Sequence, residues 1–100
     1  MVSYEVTQVL EDLSLADAFA EYMRNKHVRE VVATGCFLDG RFEQTAPDVF
    51  RSRYTAASQE ELDRYLAEHA APLRADFLEH FPSGVKLTRH VWTEQARFLR

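Results

Sequence analysis

The chain has little cysteine, glycine and proline, and it lacks a long apolar run. Its one cysteine, Cys36, cannot form an internal disulfide, and a free thiol is typical of a reducing compartment. No apolar stretch approaches the roughly 20 residues that cross a bilayer. The N-terminus also lacks the basic and then apolar regions of a secretory signal. We therefore expect a cytoplasmic protein without membrane association.

Positive charge is also scarce. The chain has 12 basic and 16 acidic side chains and a net charge of −4. A general nucleic-acid binder needs a net positive surface for phosphate contacts, so we expect no nucleic-acid partner. Ten of the basic residues are arginines, which favour bidentate contacts with carboxylates and phosphates. A local anion site is compatible with this composition.

The usual signatures of cofactor and metal sites are missing as well. The three glycines, Gly35, Gly40 and Gly84, are scattered and form no phosphate-binding loop. Neither an H-x-x-x-H nor a C-x-x-C spacing is present. We therefore expect no cofactor and no metal.

The residues that are present predict one globular domain over residues 1–100. Hydrophobic residues make up 46% of the chain and charged residues 28%, which is ordinary globular usage. A length of 100 residues is too short for two independent cores. Period-two alternation with β-branched residues predicts strands over Val2–Leu10, Cys36–Gln44, Val49–Ala56 and Val85–Glu94.

Helical spacing fills the gaps between these strands. A capping box at Ser14 predicts a helix to about Lys26, with a short continuation that ends at Gly35. A second capping box at Ser58 predicts the other helix. Pro72 either kinks this helix or is the first helical residue of a second segment.

The resulting order, β-α-β-β-α-β, predicts an α+β ferredoxin-like fold. Its four-stranded antiparallel sheet carries two helices on one face and leaves the other face bare. The alternation places Phe37 and Trp92 on this bare face, beside Arg51 and Arg53. Aromatic residues among arginines are typical of an interface, so the bare face could meet another subunit.

The layout and several motifs resemble a bacterial family of about this length, known as a domain of unknown function, within the dimeric α/β-barrel superfamily. The motifs are Tyr4-x-Val6-Thr7, His27-Val28-x-Glu30-Val31-x-Ala33-Thr34-Gly35-x-Phe37, Tyr54-Thr55-Ala56 with Ser58, and Tyr65-Leu66-x-Glu68-His69-Ala70-x-Pro72-Leu73-Arg74. The resemblance covers nearly the whole chain and implies a homodimer formed through the open sheet faces. The superfamily includes cofactor-independent monooxygenases, haem-degrading enzymes and isomerases, so the resemblance also implies a small-molecule site.

Two histidines are candidate catalytic residues. His27 follows the first predicted helix, where it could transfer protons in a pocket or simply cap free backbone carbonyls. His69 lies on the apolar stripe of the second helix, where it could be a core histidine bonded to a carbonyl that Pro72 leaves free. The two imidazoles converge if the helices pack side by side.

Three further residues are candidates for ligand binding. Arg53 could hold an anion or pair with an acidic residue across the sheet. Trp92 offers an aromatic surface on the same face. Tyr54, with Tyr4 and Phe50, loosely resembles the stacking aromatics of an RNA-recognition sheet, although the glycine-rich spacing of that sheet is absent.

These observations support three hypotheses. The first is a homodimer that is noncatalytic or binds a small ligand. The second is a cofactor-independent oxygenase or isomerase with a pocket between sheet and helices that uses His27 and His69. The third is an RNA-binding sheet, which the acidic composition disfavours.

Overall fold

The computed structural model describes residues 1–100 and contains one four-stranded antiparallel sheet. Its strands are β1 (Val2–Leu10), β2 (Asp39–Ala46), β3 (Val49–Ala56) and β4 (Val85–Thr93), in the spatial order β2-β3-β1-β4. β1 therefore lies in the centre, with antiparallel β3 on one side and antiparallel β4 on the other. This interleaved order confirms the predicted ferredoxin-like fold.

The first helical stretch is continuous but irregular. A short 3₁₀ turn (Leu13–Leu15) leads into α1 (Ala16–Tyr22), a π-helical turn (Met23–His27) and α2 (Val28–Ala33). The cap of this stretch is Asp12, whose carboxylate accepts a hydrogen bond of 3.0 Å from the backbone N–H of Ser14. The prediction of Ser14 as the cap is therefore wrong by two residues. The carboxylate of Asp12, and not the hydroxyl of Ser14, accepts the hydrogen bond from a free N–H at the start of this stretch.

The second helical stretch divides in two, as one of the predicted alternatives has it. It contains α3 (Gln59–Glu68) and α4 (Ala70–His80), which meet at His69. The hydroxyl of Ser58 accepts a hydrogen bond from the backbone N–H of Glu61 at 3.3 Å, which confirms the predicted cap. α4 begins two residues before Pro72, so the prediction of Pro72 as its first residue is wrong, but Pro72 still lies in the first turn, where a missing N–H costs nothing.

The start of the second strand differs from the prediction. β2 begins at Asp39 instead of Cys36, because Gly35 at a φ of +82° turns the chain into a short connection before it joins the sheet. Cys36 and Phe37 are both buried in this connection, whereas Leu38 is exposed. The prediction that Phe37 lies on the open face is therefore wrong. Consecutive side chains of a connection need not alternate between the faces of a sheet.

The predicted division of the sheet into two faces is confirmed in the central strands β1 and β3. Val2, Tyr4, Phe50 and Tyr54 are buried beneath the helices. The opposite surface, called the open face below, is polar: its cross-strand pairs include Glu5 with Arg53, Thr7 with Arg51, and Ser3 with Trp92. None of the helices combines the length and apolar character needed to cross a bilayer.

Candidate functional site

A cavity of about 310 Å³ lies between the sheet and the helices, and we call it the helix-side cavity. It is bordered by strands β1, β3 and β4 below and by the two helical stretches above. Most of its wall is apolar: Val6, Met23, Val31, Phe77, Leu78 and Leu87. Such a volume is at the lower end of the roughly 300–1,000 Å³ typical of small-molecule sites.

The strand register explains why the cavity forms at this place. The cross-strand pair of Val6 and Ser52 lies between the larger pairs Tyr4 with Tyr54 and Gln8 with Phe50. Two small side chains between four large ones leave a hollow in the layer that faces the helices. Because protein interiors are close-packed, a hollow of this size requires a particular arrangement of side chains around it.

The floor of the cavity contains a buried amide. Gln8 and Ser52 are 2% and 1% exposed, and the amide nitrogen Nε2 of Gln8 donates a hydrogen bond of 2.8 Å to Oγ of Ser52. The other amide atom, Oε1, is buried without a hydrogen-bond partner. Rotating the amide by half a turn would only exchange the atom that lacks a partner. An unpartnered buried polar atom costs about 1–3 kcal/mol, so this arrangement lowers the stability of the folded chain.

Phenolic hydroxyls line the same space. The hydroxyl of Tyr54 is buried and makes no hydrogen bond within 3.5 Å, although the Ser52 hydroxyl is near enough to oppose the effect of burial on its pKa. The hydroxyl of Tyr4 accepts a hydrogen bond of 3.1 Å from Nη2 of Arg74. Burial raises the pKa of Tyr54, and it raises the pKa of Tyr65 to about 12. These phenols therefore stay protonated at neutral pH and can donate hydrogen bonds to a ligand.

His27 enters the cavity from the π-helical turn. Its ring packs against Tyr22 and Phe77, each with a centroid distance of 5.8 Å, and its Nδ1 is buried without a partner. Burial lowers the pKa of His27, which favours the neutral imidazole at neutral pH. The helix continues to Ala33, so the alternative that His27 caps a helix end is wrong. Single π-helical turns inside α-helices are frequent at functional sites.

Asp76 joins this turn to the second helical stretch. Its Oδ2 accepts hydrogen bonds from the hydroxyl of Tyr22 at 2.7 Å and from Nζ of Lys26 at 2.6 Å. The Lys26 and Tyr22 bonds lower the pKa of the Asp76 carboxyl, which therefore stays ionised. Tyr22 and Lys26 precede His27 in the same helical stretch. Their hydrogen bonds to Asp76 therefore fix the position of the imidazole relative to α4.

The structure brings together only two of the predicted site residues. His27 and Tyr54 share the helix-side cavity, whereas His69 lies outside it, half-buried, with Nε2 3.9 Å from the Glu68 carboxylate. Arg53 and Trp92 lie on the open face, where both border a shallow depression. A catalytic role for His69 stays a prediction.

Among the residues of the cavity that sequence reasoning missed are four with amide, hydroxyl or guanidinium groups: Gln8, Ser52, Arg74 and Arg89. The sequence does carry a signal for two of them. Gln8 and Ser52 are polar residues at inward positions of strands whose neighbouring inward positions are aromatic or aliphatic. Tyr4, Phe50 and Tyr54 are buried beneath the helices, so they cannot stack bases on the open face as an RNA-recognition sheet would require. The structure contains no group of three or more histidine, cysteine or acidic side chains placed to hold a metal ion.

The chain belongs to the family described as a domain of unknown function, DUF4286, whose model matches residues 1–95. This confirms the resemblance to a family of unknown function. No curated protein matches the chain.

Solved structures share its fold at low identity. SnoaB, a cofactor-independent oxygenase from Streptomyces nogalater, has 11% identity and a TM-score of 0.74, covering 99% of this chain and 97% of that chain. HapK from Hahella chejuensis has 13% identity and a TM-score of 0.73, with 100% and 98% covered. A dimeric ferredoxin-like protein from an uncultured marine organism has 7% identity and a TM-score of 0.70, with 100% of both chains covered. These similarities show a shared ferredoxin-like fold, and the protein from the uncultured marine organism is described as dimeric.

Proposed function

We propose that this DUF4286 protein binds a small molecule in the helix-side cavity. One observation carries the proposal: the three buried side-chain polar atoms that lack a hydrogen-bond partner, on Gln8, His27 and Tyr54, all belong to residues that line this cavity. A fold that needed these positions only for packing would place apolar side chains there, because each unpartnered atom costs stability. A ligand with hydrogen-bonding groups offsets that cost.

The proposal can be tested with a neutral apolar fluorophore, N-phenyl-1-naphthylamine, added to the full chain. We expect its fluorescence to rise on binding, and we expect Ser52→Leu to abolish the rise because the leucine fills the hollow between Tyr4 and Phe50. Ser83→Leu, which adds the same side chain to an exposed loop, is the matched control. Circular dichroism verifies that both variants fold. Equal fluorescence with both variants would contradict binding in this cavity.

A second candidate function is enzymatic: a cofactor-independent oxygenase or an isomerase that begins with proton abstraction. The observation in its favour is that His27, whose burial favours the neutral imidazole, lines the same cavity as phenols that remain hydrogen-bond donors. His27 would accept a proton from an acidic C–H or O–H of the substrate, and Tyr54 would donate a hydrogen bond to the oxygen where negative charge develops. SnoaB, which shares the fold, is a cofactor-independent oxygenase, and this supports the enzymatic reading by analogy of fold alone.

Oxygen uptake separates an oxygenase from a protein that only binds its ligand. We expect a panel of di- and trihydroxylated aromatic compounds to include one whose oxygen uptake the protein accelerates. His27→Gln should abolish that acceleration, because glutamine cannot accept the proton. His90→Gln, which changes an exposed histidine on the open face, should leave it intact. Acceleration that survives His27→Gln would contradict the role of His27.

We also propose that the protein is a homodimer in which two open faces pack together. Trp92 is 54% exposed there, and at least one neighbour with this fold is described as dimeric. We expect a mass in solution of twice 11.6 kDa, and a shift to the monomer mass in Trp92→Glu. Leu66→Glu, which changes an exposed leucine of α3, is the control. A wild-type protein that is monomeric at micromolar concentration would contradict the dimer.

We place the protein in the cytoplasm. Cys36 is a buried free thiol, and free cysteines are typical of reducing compartments. A fluorescent fusion expressed in bacteria should fill the cytoplasm, and accumulation at the cell periphery would contradict this location.

A further inference from the structure

The charges around the helix-side cavity oppose those of the molecule as a whole. The chain has a net charge of −4, yet no aspartate or glutamate lines the cavity. The lining does include two arginines, Arg74 from α4 and Arg89 from β4. An otherwise acidic protein therefore surrounds this cavity with positive charge, which attracts anions.

Neither arginine has a carboxylate partner. Arg51, Arg64 and Arg97 each pair with a glutamate at 2.8–2.9 Å. In contrast, the one side-chain hydrogen bond of Arg74 goes to the hydroxyl of Tyr4, which is neutral. Arg89 makes no ion pair within 4.0 Å. Both guanidinium groups retain free donors for a ligand.

The two arginines stand at the mouth of the cavity. Arg74 and Arg89 are exposed, as is Leu78 beside them, whereas Gln8 and Tyr54 are buried. The strand register sets Arg89 opposite Val6, in the same row as Ser52. Positive charge therefore lies at the solvent end of a space whose inner end holds an unpartnered amide oxygen and an unpartnered hydroxyl.

The charges of the arginines reach the groups that line the cavity. On Tyr65, both Arg74 and Arg89 act against the effect of burial and lower its pKa. On His27, where burial is the main cause, Arg89 also lowers the pKa. Both arginines therefore lie close enough to the phenol of Tyr65, which lines the same cavity, for their charges to act on it.

We propose that the ligand of the helix-side cavity is a small organic carboxylate with a flat apolar body. Arg74 and Arg89 bind the carboxylate at the mouth, since a planar guanidinium matches a carboxylate in geometry and charge. The apolar body lies among Met23, Phe77 and Leu87, with any polar group at its far end near Gln8 or Tyr54. This inference rests on the proposed function and specifies the chemical class of the ligand.

Two isosteric probes test the charge requirement, 2-naphthoate and its neutral amide, 2-naphthamide. Each is titrated against the full chain loaded with N-phenyl-1-naphthylamine, and displacement of the fluorophore gives its Kd. We expect the carboxylate to bind about tenfold more tightly than the amide, because charge-assisted hydrogen bonds are the stronger ones. In Arg89→Gln the two affinities should converge. Arg41→Gln, an exposed arginine of the open face without an ion pair, should keep the preference.

The outcomes separate this inference from the proposed function. If the fluorophore binds but both probes displace it equally, or neither does, the cavity is a binding site and the carboxylate preference is wrong. A preference that persists in Arg89→Gln and in Arg74→Gln also overturns the inference. If the fluorophore itself does not bind, both the proposed function and this inference fail.

Discussion

The hydroxyl of Tyr22 donates a hydrogen bond of 2.7 Å to the carboxylate of Asp76, across 54 residues of sequence. This bond connects the helical stretch that bears His27 with α4, which bears Arg74 and forms part of the cavity mouth. The two walls of the helix-side cavity are thereby held together by a polar contact as well as by apolar packing. A side chain that lines no part of the cavity can therefore control its shape.

Removing this contact should weaken the fold and the cavity together. Tyr22→Phe keeps the ring and deletes the hydroxyl, so we expect the free energy of unfolding to fall by about 1 kcal/mol in urea titration. The affinity for N-phenyl-1-naphthylamine should fall as well, because the two walls are no longer tied at this point. Lys26→Gln, which removes the more exposed partner of Asp76, should change stability less. Equal effects of the two changes would contradict the special role of the phenol.

Because the pKa of His27 is lowered in the native state, we expect the free energy of unfolding to depend on pH. The native state disfavours the imidazolium, so the unfolded state binds protons more readily below its ordinary pKa of about 6.5. Stability from His27 is thus complete above that pH and is lost as the pH falls from there through the native pKa. Glu30 and Asp76 reduce the shift, whereas Lys26 and Arg89 increase it.

Urea titrations at several pH values between 5 and 7.5 check this expectation. His27→Gln should flatten the pH dependence in that range, because glutamine does not titrate. His90→Gln should keep the slope of the wild type, since that imidazole is exposed. A wild-type stability that rises as the pH falls below 6.5 would show that the native state favours the imidazolium after all.

Local patterns were sufficient to predict the sheet. Alternation within Val2–Leu10 and Val49–Ala56 located both strands to the residue, because each has one buried and one polar face. The same reasoning failed at Phe37, where a glycine-initiated connection buries consecutive side chains. Alternation of side chains applies only to residues that are already paired in a sheet. The local sequence does not show at which residue the chain joins the edge of the sheet.

The site was less predictable than the fold. His27 was identifiable as an unusual residue, and Tyr54 as an aromatic on a central strand. The bond between Tyr22 and Asp76 was not, since no local pattern relates residues that far apart. Arg74 and Arg89 were equally invisible, because their shared feature is the absence of a carboxylate nearby. Such a property belongs to the packed molecule and to no segment of it.

The buried amide of Gln8 should lower the stability of the fold and contribute to the selectivity of binding. In Gln8→Leu with Ser52→Ala, both partners of the 2.8 Å hydrogen bond become apolar and the unpartnered Oε1 disappears. Replacing both partners of a buried bond is close to neutral or stabilising, so we expect the double variant to be at least as stable as the wild type. Gln8→Leu alone should lose about 1 kcal/mol relative to the double variant, because it leaves the Ser52 hydroxyl without a partner.

Urea titration gives these stabilities, and competition against N-phenyl-1-naphthylamine gives the affinity for 2-naphthoate. We expect the stable double variant to bind naphthoate as the wild type does, through the arginines, and to lose selectivity among naphthoates that carry a hydroxyl at the far end. A double variant less stable than either single change would mean that the amide serves the fold.

Gly40 leaves room for the side chains of Val32 and Tyr54, which pack directly against its backbone. A Cβ at this position would lie 2.7 Å from Cγ2 of Val32 and 3.1 Å from Cδ1 of Tyr54. Gly40→Ala therefore forces the ring of Tyr54 or the helix α2 to move, and overpacking of this kind costs about 1–3 kcal/mol. Because Tyr54 lines the helix-side cavity, the affinity for N-phenyl-1-naphthylamine should fall as well.

Gly35→Ala separates a displaced ring from backbone strain. A Cβ there meets nothing within 4 Å, yet the φ of +82° is unfavourable for alanine, so this variant should lose about 1 kcal/mol. Its cavity should keep the affinity of the wild type for the fluorophore, since no side chain is displaced. Urea titration and fluorophore binding on both variants test the distinction. If Gly40→Ala binds the fluorophore as tightly as Gly35→Ala does, the added methyl group has displaced Val32 and left the Tyr54 ring in place, which contradicts this prediction.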